Sequence, residues 1–288
     1  MKGLLMVTLW GCTQENDQKS TEETTEDTAV EETLDESAYQ ITKSILYDGV
    51  EVDLIIDKPE GTKFDVLVVY HGTVWSDSQI HSAALNTLNG FSGILDRSDM
   101  MIVSVVYPEE NLLMGDNLIQ AEAGLLWVQN QAETELGIEL DRVFVGGHSQ
   151  GGYIATILNT IHQTDGVIAN SPGPLNFAYR CQLEDSGGIE SSNQCRLMAE
   201  VYGSATENPD PYIERSLLWF TSGYQSPILF VQGMEDADIQ LYSWPTFVEG
   251  LNACDDCQEI QIFEAEGVGH PALFESREAM SVFNEFVR

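Results

Sequence analysis

Basic residues are scarce: 12 Lys and Arg stand against 47 Asp and Glu, a formal net charge of −35. A chain this acidic repels phosphate backbones, which excludes nucleic-acid binding from its expected roles. Long apolar runs are missing as well. None approaches the roughly 18 residues needed to cross a bilayer, which excludes a multi-pass membrane protein. Cysteine is limited to five positions, and no internal repeat is present. What the chain does have is 43% hydrophobic residues in 288. That is enough for a full core, so a wholly disordered chain is ruled out. The acid excess is not confined to one end. Residues 1–38 hold 10 acids and 2 bases, leaving 37 and 10 for the remainder. Such a charge suits a salty medium, where screening weakens self-repulsion; an ordinary acidic secreted enzyme is the other reading.

The N-terminus reads as a targeting segment. Lys2 is followed by a short, mostly apolar stretch, Gly3 to Trp10, and then by Gly11-Cys12. A small residue before a cysteine resembles a bacterial lipoprotein signal, in which the cysteine becomes the lipidated N-terminus. The resemblance implies a signal over 1–12 and lipid attachment at Cys12, with Thr13 favouring the outer membrane. Trp10 is bulkier than usual there, and a plain signal peptide is the alternative. Residues 13–38 are mainly Thr, Glu, Asp, Ser and Gln. They cannot bury enough surface to offset their ordering entropy, so a disordered acidic linker is expected.

Setting Cys12 aside leaves Cys181, Cys195, Cys254 and Cys257. An even number in an exported chain favours two disulfides. Of three pairings the local one is expected, Cys181 with Cys195 and Cys254 with Cys257. Cys254-Asp-Asp-Cys257 also has the form of half a zinc site, but no second pair or histidine accompanies it. No metal or organic cofactor is implied.

From residue 39 onward, strand and helix patterns alternate. Tyr39–Tyr47 and Val50–Asp57 read as a hairpin turning at Asp48-Gly49. Phe64–Tyr70, Met100–Tyr107, Arg142–Gly146, Gly166–Ala169, Pro227–Val231 and Glu259–Glu264 read as further strands. Between them, Ser78–Leu95, Asp116–Glu135, Gly151–Ile161 and Tyr242–Asn252 read as helices, and Pro271–Val287 as the last one. Asp116 is the expected cap of its helix, and Pro108 the end of its strand. Alternation of this kind implies a mostly parallel sheet flanked by helices. It stops over residues 171–225, which read as a lid-like insertion.

Gly147-His148-Ser149-Gln150-Gly151 matches G-x-S-x-G directly after a strand and directly before a helix. A serine on so sharp a turn adopts strained backbone angles, and side chains at 147 and 151 would crowd it. On these residues the chain resembles a serine esterase or peptidase of the α/β-hydrolase superfamily over residues 39–288. The resemblance implies an α/β fold with Ser149 as nucleophile. Tyr70-His71-Gly72-Thr73 follows an earlier strand, where the family builds its oxyanion hole. By position this gives the N–H groups of Thr73 and Gln150, with His71 supporting the loop. Gln232-Gly233-Met234-Glu235-Asp236-Ala237-Asp238-Ile239 follows another strand and resembles the family's acid loop, which puts Asp236 ahead of Glu235 and Asp238. Gly267-Val268-Gly269-His270-Pro271 comes last, giving His270 as general base in the order Ser, Asp, His. His148 is expected to pack beneath the serine turn.

Among aromatics near these loops, Trp75 and Tyr153 are expected to line the substrate pocket, with Trp219 and Trp244 as further candidates. Core packing is the competing fate of each. The expected reaction is cleavage of a small-molecule or polymeric carboxylic ester, in the manner of carboxylesterases, feruloyl esterases and polyester depolymerases. A prolyl-oligopeptidase-type peptidase is the second reading, and a catalytically dead binding protein the third. Contact with a membrane is expected only through the lipid anchor, on an exported protein of the outer membrane, periplasm or medium.

Overall fold

The computed structural model describes residues 36–107 and 112–288. The signal, Cys12, most of the acidic linker and Pro108 lie outside the described residues. The sheet has eight strands among those described: β1 (Tyr39–Tyr47), β2 (Val50–Lys58), β3 (Lys63–Tyr70), β4 (Met100–Val106), β5 (Glu139–His148), β6 (Gly166–Asn170), β7 (Ile228–Gly233) and β8 (Ile260–Ala265). Their order is β1-β2-β4-β3-β5-β6-β7-β8. The β1–β2 and β2–β4 pairs are antiparallel and every other pair is parallel. The continuous apolar run of β3 is explained by its place. It lies between β4 and β5 with both faces covered, so no position alternates to solvent.

Ten helices pack around it among the described residues: α1 (Ile80–Ile94), α2 (Leu118–Asn130), α3 (Ala132–Leu136), α4 (Gln150–Asn159), α5 (Phe177–Asp185), α6 (Asn193–Tyr202), α7 (Asp210–Ile213), α8 (Asp238–Asn252), α9 (Ala272–Glu275) and α10 (Arg277–Phe286). The buried residues form two clusters, one per sheet face. Ala84, Leu88 and Phe91 of α1 pack with Ala279 and Phe283 of α10 in one cluster. Helices α2, α4 and α8 supply the other.

Two long helices expected from the sequence are each divided. The pattern over 116–135 forms α2 and α3, and the residue before α2 is Asn117 rather than Asp116. At the break, Asn130 Nδ2 donates to the Leu126 carbonyl at 2.7 Å, competing for the acceptor that the helix itself would use. The C-terminal pattern breaks at Ser276, whose hydroxyl accepts from Ala279 N at 3.2 Å and so caps α10. The insertion between β6 and β7 is helical, carrying α5, α6 and α7. Its Cys181–Cys195 disulfide joins α5 to α6, and Cys254–Cys257 closes the turn after α8, as the local pairing required.

Asp65 on β3 is buried and accepts from Arg97 and from Arg142, each with an N–O distance of 2.6 Å to Oδ2. Both guanidiniums also reach the Val287 carbonyl, tying the chain end to the sheet. Burial alone would raise the Asp65 pKa; the two arginines outweigh it and hold the carboxyl below its ordinary value. Asp65→Asn leaves two partly buried cations without their anion and is expected to cost about 3 kcal/mol at neutral pH. A group whose folded pKa is depressed contributes its stability above the ordinary carboxylate value and loses it as pH falls through the folded one. Urea denaturation is therefore expected to show the wild-type advantage at pH 7 and its decline below about pH 4.

Candidate active site

Parallel strands deliver their following loops to one edge of a sheet, and here four loops converge at the carboxyl ends of β3, β5, β7 and β8. The β3–β5 register pairs Tyr70 with Gly147, and the β7–β8 register pairs Gly233 with Ala265. Residues 71–73, 149, 236 and 270 thus leave the sheet side by side. A cavity of about 490 Å³ opens there, with Thr73, Trp75, Ser149, Asp236 and His270 on its wall.

Ser149 joins β5 to α4 with φ 57° and ψ −119°. The turn is so tight that a Cβ on Gly147 would lie 2.1 Å from the Gly151 carbonyl oxygen, and one on Gly151 would lie 1.9 Å from that of Tyr70. Both are backbone atoms that cannot step aside. Gly151→Ala is accordingly expected to destabilise by more than about 4 kcal/mol. Soluble yield and melting temperature check this; an alanine variant that melts like the wild type would mean that the turn is looser than described. Ser149 N donates to the Asn170 carbonyl at 2.9 Å, which fixes the turn against β6.

Gln150 is the first residue of α4, so its N–H has no intrahelical acceptor. Its side chain is buried, and Oε1 accepts from the Thr73 hydroxyl at 2.8 Å, linking the β3 loop to the serine turn. His71 is buried, stacks on Tyr107 at 4.6 Å and donates from Nδ1 to the Gly72 carbonyl at 2.7 Å. Burial lowers its pKa, which suits a neutral, supporting ring.

His270 Nδ1 donates to Asp236 Oδ2 at 2.8 Å. Asp236 is buried and accepts from two more donors: Gln232 Nε2 to Oδ2 at 3.0 Å, and Ala237 N to Oδ1 at 2.7 Å. Burial would raise its pKa, but these donors and the facing imidazole bring it below the ordinary value. Glu235 lines the cavity and is exposed, while Asp238 begins α8 in solvent. Ser149 and His270 share the cavity wall, and no hydrogen bond joins the hydroxyl to the imidazole. Such contacts commonly tighten only when substrate arrives.

Three expectations change. Tyr153, one turn into α4, is 1% exposed and packed in the core rather than in the cavity wall, because its stretch of helix is buried on all sides. Trp244 is likewise buried, with its indole N–H on Glu264 at 2.8 Å, whereas Trp75 is 65% exposed and does line the cavity. Trp219 is exposed and away from the cavity wall. His148, expected beneath the serine turn, has its ring beside that of His270, with centroids 4.8 Å apart. Burial and then the neighbouring imidazole push its pKa down to about 4, and its Nδ1 accepts from Asn170 Nδ2 at 3.1 Å. Gln232, the additional donor to Asp236, has no signal in a single sequence beyond its place near the end of β7, directly after Val231.

A sheet of this order, with a strained serine on its central turn and an acid–histidine pair on the loops beside it, defines an α/β hydrolase. The model of the alpha/beta hydrolase fold family matches residues 67–216, and the chain belongs to that family. No curated protein sequence matches it. Among solved structures it is similar to a truncated form of a carbohydrate esterase from gut microbiota, with 13% identity, 89% of this chain and 96% of that one covered, and a TM-score of 0.65. A bacterial heroin esterase is 17% identical over 87% and 85% of the two chains, with a TM-score of 0.63. An acylaminoacyl peptidase in complex with Z-Gly-Gly-Phe-chloromethyl ketone is 18% identical, covering 86% of this chain and 41% of that one, with a TM-score of 0.60. At such identities the likeness is one of fold.

Proposed function

We propose that this protein is a serine hydrolase that cleaves carboxylic esters through an acyl-enzyme. Ser149 attacks the carbonyl carbon while His270 takes its proton, and the N–H groups of Gln150 and Thr73 receive the oxyanion. The tetrahedral intermediate collapses as His270 returns that proton to the departing alcohol. Water, activated by the same imidazole, then releases the acid and regenerates Ser149. Asp236 holds His270 with Nδ1 protonated, so that Nε2 is the free basic nitrogen, and stabilises the imidazolium. The observation that carries this reading is the Asp236–His270 pair at 2.8 Å on the same cavity wall as a serine held at positive φ.

Esterase neighbours of similar length, covered over most of both chains, favour esters over peptides; the peptidase neighbour matches over less than half of its own chain. The test sets nitrophenyl acyl esters of varied length beside aminoacyl nitroanilides, with fluorophosphonate labelling of Ser149. Ester turnover with labelling is expected. Faster anilide cleavage would make it a peptidase, and absence of both turnover and labelling a binding protein. Export is part of the same reading: two disulfides fit an oxidising compartment, with Cys12 as the anchor.

A further inference from the structure

The insertion gives the cavity a polar wall whose chemistry the reaction above does not use. Arg180 of α5 and Gln194 of α6 both line the cavity. Each directly precedes a cysteine, and the bond between Cys181 and Cys195 holds the two backbones with Cα atoms 5.4 Å apart. The disulfide therefore fixes the two cavity-lining residues as a pair.

Arg180 is anchored from one side. Its Nε donates to Glu184 Oε1 at 3.0 Å. Glu184 is buried, and its other oxygen accepts from the Ser192 N–H at 2.7 Å and the Ser192 hydroxyl at 3.1 Å. A guanidinium carries five N–H donors, and this arrangement engages one. Among the described residues its terminal nitrogens have no hydrogen-bond partner, nor has the half-buried amide of Gln194. Arg180 is also the single Lys or Arg on the cavity wall, in a chain of formal charge −35. The other charged groups facing the cavity, Glu235 and the Asp236–His270 pair, come from the loops after β7 and β8. So acidic a protein repels an anionic ester at long range, and a held cation with an unused planar fork is the local feature that reverses this.

Resting on the ester-hydrolase reading, we infer that the site selects esters bearing a carboxylate, received by Arg180 and Gln194 at the insertion wall. The planar guanidinium suits a carboxylate in two parallel hydrogen bonds, with the Gln194 amide as an additional donor. Trp75 and Phe177 line the cavity as apolar surface for the remainder of the substrate.

The test compares kcat/KM of the full chain, in about 0.15 M salt, for two matched pairs. The acyl-side pair is the 4-nitrophenyl ester of adipic acid with a free carboxylate, and its methyl-capped counterpart. The alcohol-side pair is 4-acetoxybenzoate and its methyl ester. Preference for the carboxylate member in one pair is expected, and the pair that shows it tells which side of the scissile bond meets Arg180. Arg180→Gln is expected to lower the ratio of carboxylate to capped ester by about 10- to 100-fold, mainly through KM, as the loss of a charge-assisted contact would. Arg180→Lys restores part of it, keeping the charge without the fork. Because Arg180→Gln leaves Glu184 unpaired and can impair folding, Gln194→Leu provides a second reading, with the same ratio falling while the Glu184 anchor stays intact. Absence of preference in both pairs would overturn the inference and leave ester hydrolysis standing. Equal losses on both members of each pair would do the same, reducing Arg180 to a structural ion pair. Failure of every ester together with absence of serine labelling would instead remove the catalytic reading beneath it.

Discussion

Ser149→Ala is expected to lower turnover of a nitrophenyl ester by about 10⁶-fold and to abolish fluorophosphonate labelling, without loss of folded protein. The energetic reason lies in the backbone. At φ 57° and ψ −119° the residue occupies a region costly to anything but glycine, by about 1–3 kcal/mol. Alanine keeps that strain and removes only the hydroxyl, so melting should barely move. Ser149→Gly relieves it, against about 0.4–1 kcal/mol of added chain entropy in the unfolded state. The glycine variant should therefore melt higher than the wild type while being equally inactive. Strain retained at a position where glycine would fold better makes sense if the hydroxyl does chemistry. An alanine variant with near wild-type turnover, checked by mass spectrometry for its substitution, would refute the assignment, and a glycine variant that melts lower would refute the strain argument.

The parts of the molecule that sequence made legible are those governed by local periodicity. β1 begins and ends where its alternating pattern does, at Tyr39 and Tyr47. The serine turn was readable because steric need restricts two positions to glycine, and that need is local. The helix breaks at Gln131 and Ser276 were less visible, since each depends on one side chain competing for, or capping, a backbone group. Ser276 followed by Glu278 did carry a capping signal within an otherwise continuous pattern. The strand order and the groups packed around the Asp236–His270 pair were not legible. They depend on crossovers and on side chains far apart in the chain: His148 faces His270 across 122 positions of sequence, and Gln232 reaches Asp236 only because the loop after β7 folds back on its own strand. Tyr153 misled for a related reason. Nearness in sequence to Ser149 does not place a side chain at the cavity, because α4 leads from the serine turn straight into the core and is buried all round.

Asp236→Asn is expected to lower kcat by about 10⁴-fold, whereas Asp238→Asn and Glu235→Gln change it by less than about tenfold. The difference follows from hydrogen-bond inventory. Every neighbour of the Asp236 carboxylate is a donor: His270 Nδ1 and Gln232 Nε2 at Oδ2, and Ala237 N at Oδ1. Asparagine must put an NH₂ group at one of these places. Placed at Oδ1, it opposes the Ala237 N–H and leaves His270 oriented but without a negative charge to stabilise the imidazolium. Placed at Oδ2, it opposes two donors and forces His270 to accept at Nδ1, which puts the proton on the nitrogen that must stay basic. His148 cannot take over, because burial and His270 hold it neutral down to a pKa of about 4. Asp236 itself stays ionised below the ordinary carboxylate range, so its protonation does not limit the wild type above about pH 4. Asp238 and Glu235 are exposed to solvent and make no hydrogen bond to His270. Single-turnover rates of the three variants on one ester separate the cases; a loss at Asp238 equal to that at Asp236 would show that the acid loop rearranges when substrate binds.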